Sequence, residues 1–255
     1  MCAKKTFAVP VWGHTAERIA PGVPSIGCRA RKDESHGLYV ITLIRFSSKN
    51  RLVDSPTWLY SDEQCRARKE GTMRVITGKA KGHSLKSVPG DITRPITDRA
   101  KSALFSIIGN WVIDSHFLDL FAGTGQVGIE ALSRGAREAV FVEIAEPALR
   151  TIRANLEHTK LEKNAHVVRA DVFEFLLREP DPFDFIYVAP PQYKELWVKT
   201  LQLLDQRLGW LADDGWVIVQ IDPLEYEEQA LEHLALFDQR SYGGVMLCFY
   251  GQSPE

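Results

Sequence analysis

The sequence predicts an α/β fold built on a mostly parallel sheet and closed by an antiparallel hairpin. Three observations predict it. From residue 73 onward, short apolar runs alternate with amphipathic stretches of helical period, the pattern of strands joined by crossover helices. One of these runs passes directly into a glycine-rich turn and then a helix. Near the C-terminus two apolar runs flank Gly243-Gly244, a pair that reads as a tight hairpin turn.

Taken in order, the strands are expected at 117–121, 139–143, 165–169, 183–188 and 216–221, with helices at 126–134, 146–156, 172–177, 194–204 and 226–234 between and after them. A closing pair of strands is expected at 237–242 and 245–250. Five parallel-type strands followed by an antiparallel hairpin outline a Rossmann-like, seven-stranded class I methyltransferase sheet. A helix following Thr97 carries Ala100, Leu104, Ile107 and Ile108 on one face, the spacing of a buried stripe.

Residues 1–72 read differently. Apart from a strand near 38–44 they show no sustained period, and Pro, Gly and Ser are scattered through them. Without visible partner elements they read as a disordered or non-native extension, with Met73 as a candidate natural start. The expected organisation is this extension, a basic hairpin and helix start at 73–101, a cofactor domain at 102–251 and a tail at 252–255.

The chain of 255 residues, 45% hydrophobic and 25% charged, can bury a core without metal or disulfide. Its net charge of −2 does not discriminate among partners. The four cysteines, Cys2, Cys28, Cys65 and Cys248, include no CxxC pair. A structural zinc site is not expected, and a reducing, cytoplasmic setting is. No run approaches the roughly 20 apolar residues of a membrane span, so no membrane partner is expected.

The chemistry centres on Asp119-Leu-Phe121-Ala-Gly123-Thr124-Gly125-Gln-Val-Gly128. Glycines let the backbone turn sharply and approach a ligand, and the helix that follows presents unpaired N–H groups. Gly123, Gly125 and Gly128 also satisfy GxGxxG, with Glu143 15 residues beyond at the end of the next strand. That spacing fits a dinucleotide site as well as a methyltransferase site, because both use the acidic residue on ribose hydroxyls. Asp119 favours the methyltransferase. A carboxylate inside an apolar strand needs a partner, either a cationic ligand such as the ammonium of S-adenosylmethionine or backbone N–H groups of the loop. Asp171 follows the third strand, where it is placed both to reach an adenine and to cap the helix from Val172.

The fourth strand ends in Ala189-Pro190-Pro191-Gln192-Tyr193. Two prolines make a stiff loop whose carbonyls can accept from an amine, and a tyrosine beside them can stack on an extruded base. The alternative is a rigid connection with a packed tyrosine.

From Met73 to about Gly251 the chain resembles the RsmD family of ribosomal RNA guanine-N2 methyltransferases. The resemblance is carried by Met73-Arg-Val-Ile-Thr-Gly-Lys-Ala-Lys-Gly82, Arg94-Pro-Ile-Thr-Asp-Arg99, Asp119 to Gly125, and Gly128-Ile-Glu-Ala-Leu-Ser-Arg-Gly-Ala136. It implies S-adenosylmethionine as methyl donor, held by Asp119, Phe121, Gly123, Thr124, Gly125, Glu143 and Asp171. It also implies a guanine amine in small-subunit ribosomal RNA, free or in an assembling subunit, as acceptor, and a monomer. The sequence departs from the family at Ala189, where the family has Asp before the two prolines, and at the inserted Gln192. With that acceptor missing, the carbonyls of Ala189 and Pro190 are left to orient the amine, beside Pro191 and Tyr193.

Residues 74–101 carry Arg74, Lys79, Lys81, Lys86, Arg94, Arg99 and Lys101 against Asp91 and Asp98 only. A short hairpin within 78–89 is expected to present these cations, with His83, to a phosphate backbone. The charge cluster makes Arg74, Lys79 and Lys81 candidate RNA contacts, and the resemblance adds Arg94, Thr97 and Arg99. Glu225, Glu227, Glu228 and Glu232 are expected far away on a late helix, keeping RNA off that face. Three other readings compete: transfer to an amine in DNA or protein, an RNA-associated module silenced at Ala189, and a nicotinamide oxidoreductase. The last lacks an evident hydride-transfer set.

Overall fold

The computed structural model describes residues 26–33, 38–46, 52–53, 57–61, 73–89 and 96–253. Arg94 and most of the first 72 residues lie outside them. The chain divides into two units, Met1–Gly71 and Thr72–Glu255.

The first unit corrects the expectation of a segment without partner strands. It contains β1 (Ile26–Asp33), β2 (Leu38–Phe46), β3 (Leu52–Val53) and β4 (Thr57–Ser61). β2 pairs antiparallel with each of the other three. β2, long and rich in β-branched and aromatic residues, announces itself by propensity, while β4 carries the same residue types over only five positions. β1 carries Arg29, Arg31, Lys32 and Asp33, so its apolar signal is diluted.

The second unit opens with arms that meet through the Arg74–Ser84 bridge. Val75 N–H donates to the His83 carbonyl at 2.9 Å and Leu85 N–H to the Met73 carbonyl at 2.7 Å. The basic hairpin therefore begins at Met73, and Gly78 lies in its turn rather than at its foot. Next come α1 (Asp98–Ile108), β5 (His116–Leu120), α2 (Gln126–Arg134), β6 (Glu138–Glu143), α3 (Glu146–Thr159) and β7 (Ala165–Arg169). α4 (Val172–Leu176), β8 (Phe183–Val188), α5 (Leu196–Gln206), β9 (Leu211–Ile221), β10 (Leu234–Ser241) and β11 (Met246–Gln252) complete the unit. The seven-stranded order is β10-β11-β9-β8-β5-β6-β7. β5 to β9 run parallel, while β11 lies antiparallel to both β9 and β10.

Side-chain alternation divides the core into two layers. Phe117, Phe141, Phe185 and Ile218 face Leu104, Ile129 and Ile152 of α1 to α3. Leu118, Leu120, Val142, Ile186 and Val188 face Phe175, Leu176, Trp197 and Leu201 of α4 and α5. Among the described residues no helix is long and apolar enough to cross a membrane.

One expected element is absent: residues 226–234 are not a helix. A single 3-10 turn at Pro223–Glu225 is followed by irregular chain and then β10. The reason lies in Asp205 of α5. Its carboxylate accepts from the backbone N–H groups of Glu232, His233 and Leu234 at 2.7–2.9 Å, holding them outside any helical ladder, and these bonds keep its pKa low against its own burial. The acidic residues of this segment therefore do not share a helix face. A smaller shift occurs at α5, which starts at Leu196 rather than 194, because Tyr193 and Glu195 have positive φ, 59° and 53°.

Candidate active site

The carboxyl ends of β5, β6, β7 and β8 bring Asp119, Glu143, Asp171 and the Ala189 loop to one edge of the parallel sheet. This is where open α/β sheets bind ligands. Phe121 leaves β5 with φ 58°, and Gly123 and Gly125 follow at 55° and 73°. These left-handed conformations turn the chain sharply enough for α2 to begin at Gln126. Gly128 is needed for a different reason, because a Cβ there would lie 2.4 Å from the Phe141 ring. Its absence lets α2 lie close against β6.

Asp119 is buried, and its Oδ2 accepts from Gly128 N–H at 3.0 Å. Burial pushes this carboxyl up to about 8, opposed by the Gly128 hydrogen bond and assisted by the Glu143 charge. The loop N–H thus supplies one partner, and the raised pKa shows that it does not offset the loss of water. On the same face, the buried Tyr187 hydroxyl donates to Gln220 Oε1 at 2.5 Å. Burial, with the Asp119 charge, holds its pKa well above the usual phenol value.

Glu143 knots the loop. Its Oε2 accepts from Gly123 N–H at 2.9 Å, and its Oε1 from Ile144 and Ala145 N–H at 2.8 Å. A carboxylate offers about four acceptor sites, so these three bonds leave room for a hydroxyl on Oε2. Asp171 caps α4, with Oδ1 accepting from Phe173 at 2.8 Å and Glu174 at 3.3 Å. The donor set fits a ligand with a cation near β5 and hydroxyls near β6. Thr124 is buried, and its carbonyl accepts from Asn155 Nδ2 at 3.0 Å. The same amide group exchanges hydrogen bonds with the backbone of Lys86, tying the end of the basic segment to the glycine loop.

Ala189 and Pro190 are half-buried, and Pro191 and Tyr193 are exposed. Tyr193 is 67% exposed. Its backbone N–H donates to Glu225 Oε2 at 2.8 Å. Glu225 therefore lies against this loop, which corrects its expected remote position.

The expected RNA-contacting residues separate by environment. Lys79, Lys81, Lys86 and Arg99 are exposed. Arg74 is exposed but pairs with Asp98 at 3.0 Å. Thr97 caps α1, its hydroxyl accepting from Ala100 N–H at 3.2 Å. Lys101 is not a surface cation. It is wholly buried, donates to the Arg74 carbonyl at 2.6 Å and stands 3.5 Å from Glu130. Burial lowers its pKa and Glu130 opposes that.

Glu130 is the anchor of the hairpin, and sequence reasoning missed it. Its oxygens accept from Ile76 N–H at 2.7 Å, Thr77 N–H at 3.0 Å and Arg134 Nε at 2.9 Å. One turn on, Ser133 accepts from Ala80 N–H and donates to the Thr77 carbonyl. Gly78 sits so close that a Cβ would meet the Ser133 carbonyl oxygen at 1.8 Å. The signal was present in the sequence. Lys101 shares the helical stripe of Leu104, Phe105 and Ile108, and Glu130 adjoins Ile129 in α2, so both charges stand where burial is expected.

The family described as conserved hypothetical protein 95 matches residues 73–251. YlbH of Bacillus subtilis is 37% identical over 181 residues, covering 70% of this chain and 98% of the relative. The ribosomal RNA small subunit methyltransferase D of Escherichia coli K12 is 35% identical over 150 residues, covering 59% of this chain and 75% of the relative. Among solved structures, yhhF from Escherichia coli superposes with a TM-score of 0.64 at 32% identity, covering 71% of this chain and 98% of that one. The match spans the glycine loop, the hairpin clamped to α2 and the closing strands together: this chain belongs to the RsmD family.

Proposed function

We propose that this protein transfers a methyl group from S-adenosylmethionine to the N2 amine of a guanine in small-subunit ribosomal RNA. Family membership supports the coarser part, an rRNA methyltransferase. The observation that carries the finer reading is the convergence of three carboxylates with a proline-stiffened loop and an exposed tyrosine at one sheet edge. The cofactor supplies a methyl carbon already activated by positive charge. Asp119 would take its ammonium, Glu143 its ribose and Asp171 its adenine, with Phe121, Gly123, Thr124 and Gly125 forming the wall. Tyr193 would stack on the base, while the Ala189 and Pro190 carbonyls accept from the amine. Holding amine and methyl in line lowers the barrier by roughly 7–11 kcal/mol in favourable cases. The exposed Lys79, Lys81, Lys86 and Arg99 would bind phosphates, with Arg74 and Arg94.

The test is incubation with methyl-labelled S-adenosylmethionine and small-subunit rRNA or partly assembled subunits. Label on guanine N2 is the expected result. Label elsewhere, or none while the cofactor binds, would overturn the assignment.

The Asp119 role predicts a proton signal. Without a cation beside it, the carboxyl, with a pKa near 8, is protonated at pH 7. A bound ammonium favours the charged form, so cofactor binding should release about one proton at pH 7 and progressively fewer above pH 8. Calorimetry in buffers of different ionisation enthalpy measures this. Asp119→Asn should abolish the release; binding heats of the unmutated protein that do not vary with buffer would refute the assignment.

A further inference from the structure

We propose that Glu225 supplies the carboxylate acceptor for the target amine, the role the family gives to the Asp that Ala189 replaces. The inference rests on the guanine-amine reading above. Among the described residues, three buried side-chain atoms have no hydrogen-bond partner: Gln126 Oε1, Arg207 Nε and Glu225 Oε1. Gln126 opens α2 and Arg207 closes α5. Glu225 alone touches the loop that follows β8, through its Oε2 and the Tyr193 N–H.

The topology explains how it gets there. β8 and β9 are parallel neighbours, with Val188 paired to Val219. The chain leaving β8 at Ala189 and the chain leaving β9 after Ile221 therefore emerge side by side at the same sheet edge. Asp222 then turns the second chain, accepting from Leu224 N–H at 3.0 Å, and the 3-10 turn Pro223–Glu225 carries Glu225 to the Ala189 loop. One carboxylate oxygen fixes the backbone of Tyr193. The other is withdrawn from water without a donor, a costly arrangement that a ligand N–H would relieve. A guanine stacked on Tyr193 brings an exocyclic amine with two such hydrogens. This geometry restores what Ala189 lacks, since a methyl side chain accepts nothing and the prolines leave only carbonyls.

In the transfer step the N2 lone pair forms the new N–C bond. The donor sulfur keeps the electron pair of the C–S bond that breaks and becomes a neutral sulfide. The surplus proton on N2 passes to Glu225 and on to solvent.

The experiment measures single-turnover methyl transfer to guanine N2, with cofactor and RNA affinities, for the full chain and for Glu225→Gln, Glu225→Ala, Ala189→Asp and Ala189→Asp/Glu225→Gln. Glutamine keeps an oxygen for Tyr193 N–H but offers its other position as a donor. Glu225→Gln should lose about 100-fold in rate, the scale of removing one preorganised hydrogen bond at a reacting centre, while both affinities stay unchanged. Glu225→Ala should be at least as slow. The double variant should recover most of the rate, because Asp at 189 returns the acceptor to its family position. Transfer by Glu225→Gln at the unmutated rate overturns the role of Glu225 and leaves the guanine reading standing. Equal loss of RNA affinity and rate, without rescue by Ala189→Asp, makes Glu225 a holder of the Tyr193 loop only and also overturns it. No transfer to guanine N2 by the unmutated protein removes the underlying reading, and this inference with it.

Discussion

Glu130→Ala should destabilise the protein by about 3–5 kcal/mol, the cost of removing one partner from a buried ion pair. The loss has three sources. Lys101 keeps its buried ammonium without the carboxylate 3.5 Å away, and the Ile76 and Thr77 N–H groups lose their acceptor. Arg134, the fourth group at this carboxylate, is partly exposed and can turn to water. Urea unfolding measures the effect as a lower midpoint. Combining Glu130→Ala with Lys101→Met should recover part of the loss, since the second change removes the stranded charge. RNA affinity should fall with stability in the single variant, because the hairpin bearing Lys79 and Lys81 loses its clamp. A single variant as stable as the unmutated chain would show that this carboxylate does not hold the hairpin.

Much of the parallel core was legible because each strand there reports itself. The limits of β7 and β8 follow from apolar runs bounded by turn residues, although only β8 is buried and β7 is a half-exposed edge strand. α2 was equally clear, with glycine at both ends. What failed depended on partners distant in sequence. The helix expected at 226–234 has acceptable composition, but a carboxylate 27 to 29 residues earlier takes its N–H groups. The cations around Lys101 in sequence suggest a surface residue, whereas its spacing to Leu104 and Ile108 places it inside. At the site, Asp119, Glu143 and Asp171 were legible as strand-end carboxylates. Glu225 was not, because nothing local distinguishes it from the glutamates around it. Only the parallel pairing of β8 with β9 brings it to the Ala189 loop.

Glu143→Ala is the change expected to hurt cofactor binding most. Hydrogen bonds to a charged group are worth about 1.5–3 kcal/mol each, and this carboxylate holds three loop N–H groups while retaining one acceptor position for a ribose hydroxyl. Losing that hydroxyl contact and the order of the glycine loop should weaken S-adenosylmethionine binding by about 100-fold or more, at roughly 1.4 kcal/mol per tenfold. Because Glu143 is only half-buried at a strand end, global stability should change far less than in Glu130→Ala. Titration of the cofactor against thermal unfolding separates the two effects. Unaltered cofactor affinity in Glu143→Ala would show that the ribose is held elsewhere.

The clamp on α2 also bears on how the chain is made. The hydrogen bonds from Ile76, Thr77 and Ala80 reach residues 53 or 54 positions later, and those of Lys86 reach Asn155, 69 positions later. During synthesis the basic hairpin leaves the exit tunnel well before the helix it grips does. At about 5–20 residues per second, it waits several seconds with its cations exposed and its N–H groups without their eventual acceptors. The exposed cations are thus in place before the glycine loop is closed, and docking onto α2 marks the moment when hairpin and sheet are joined.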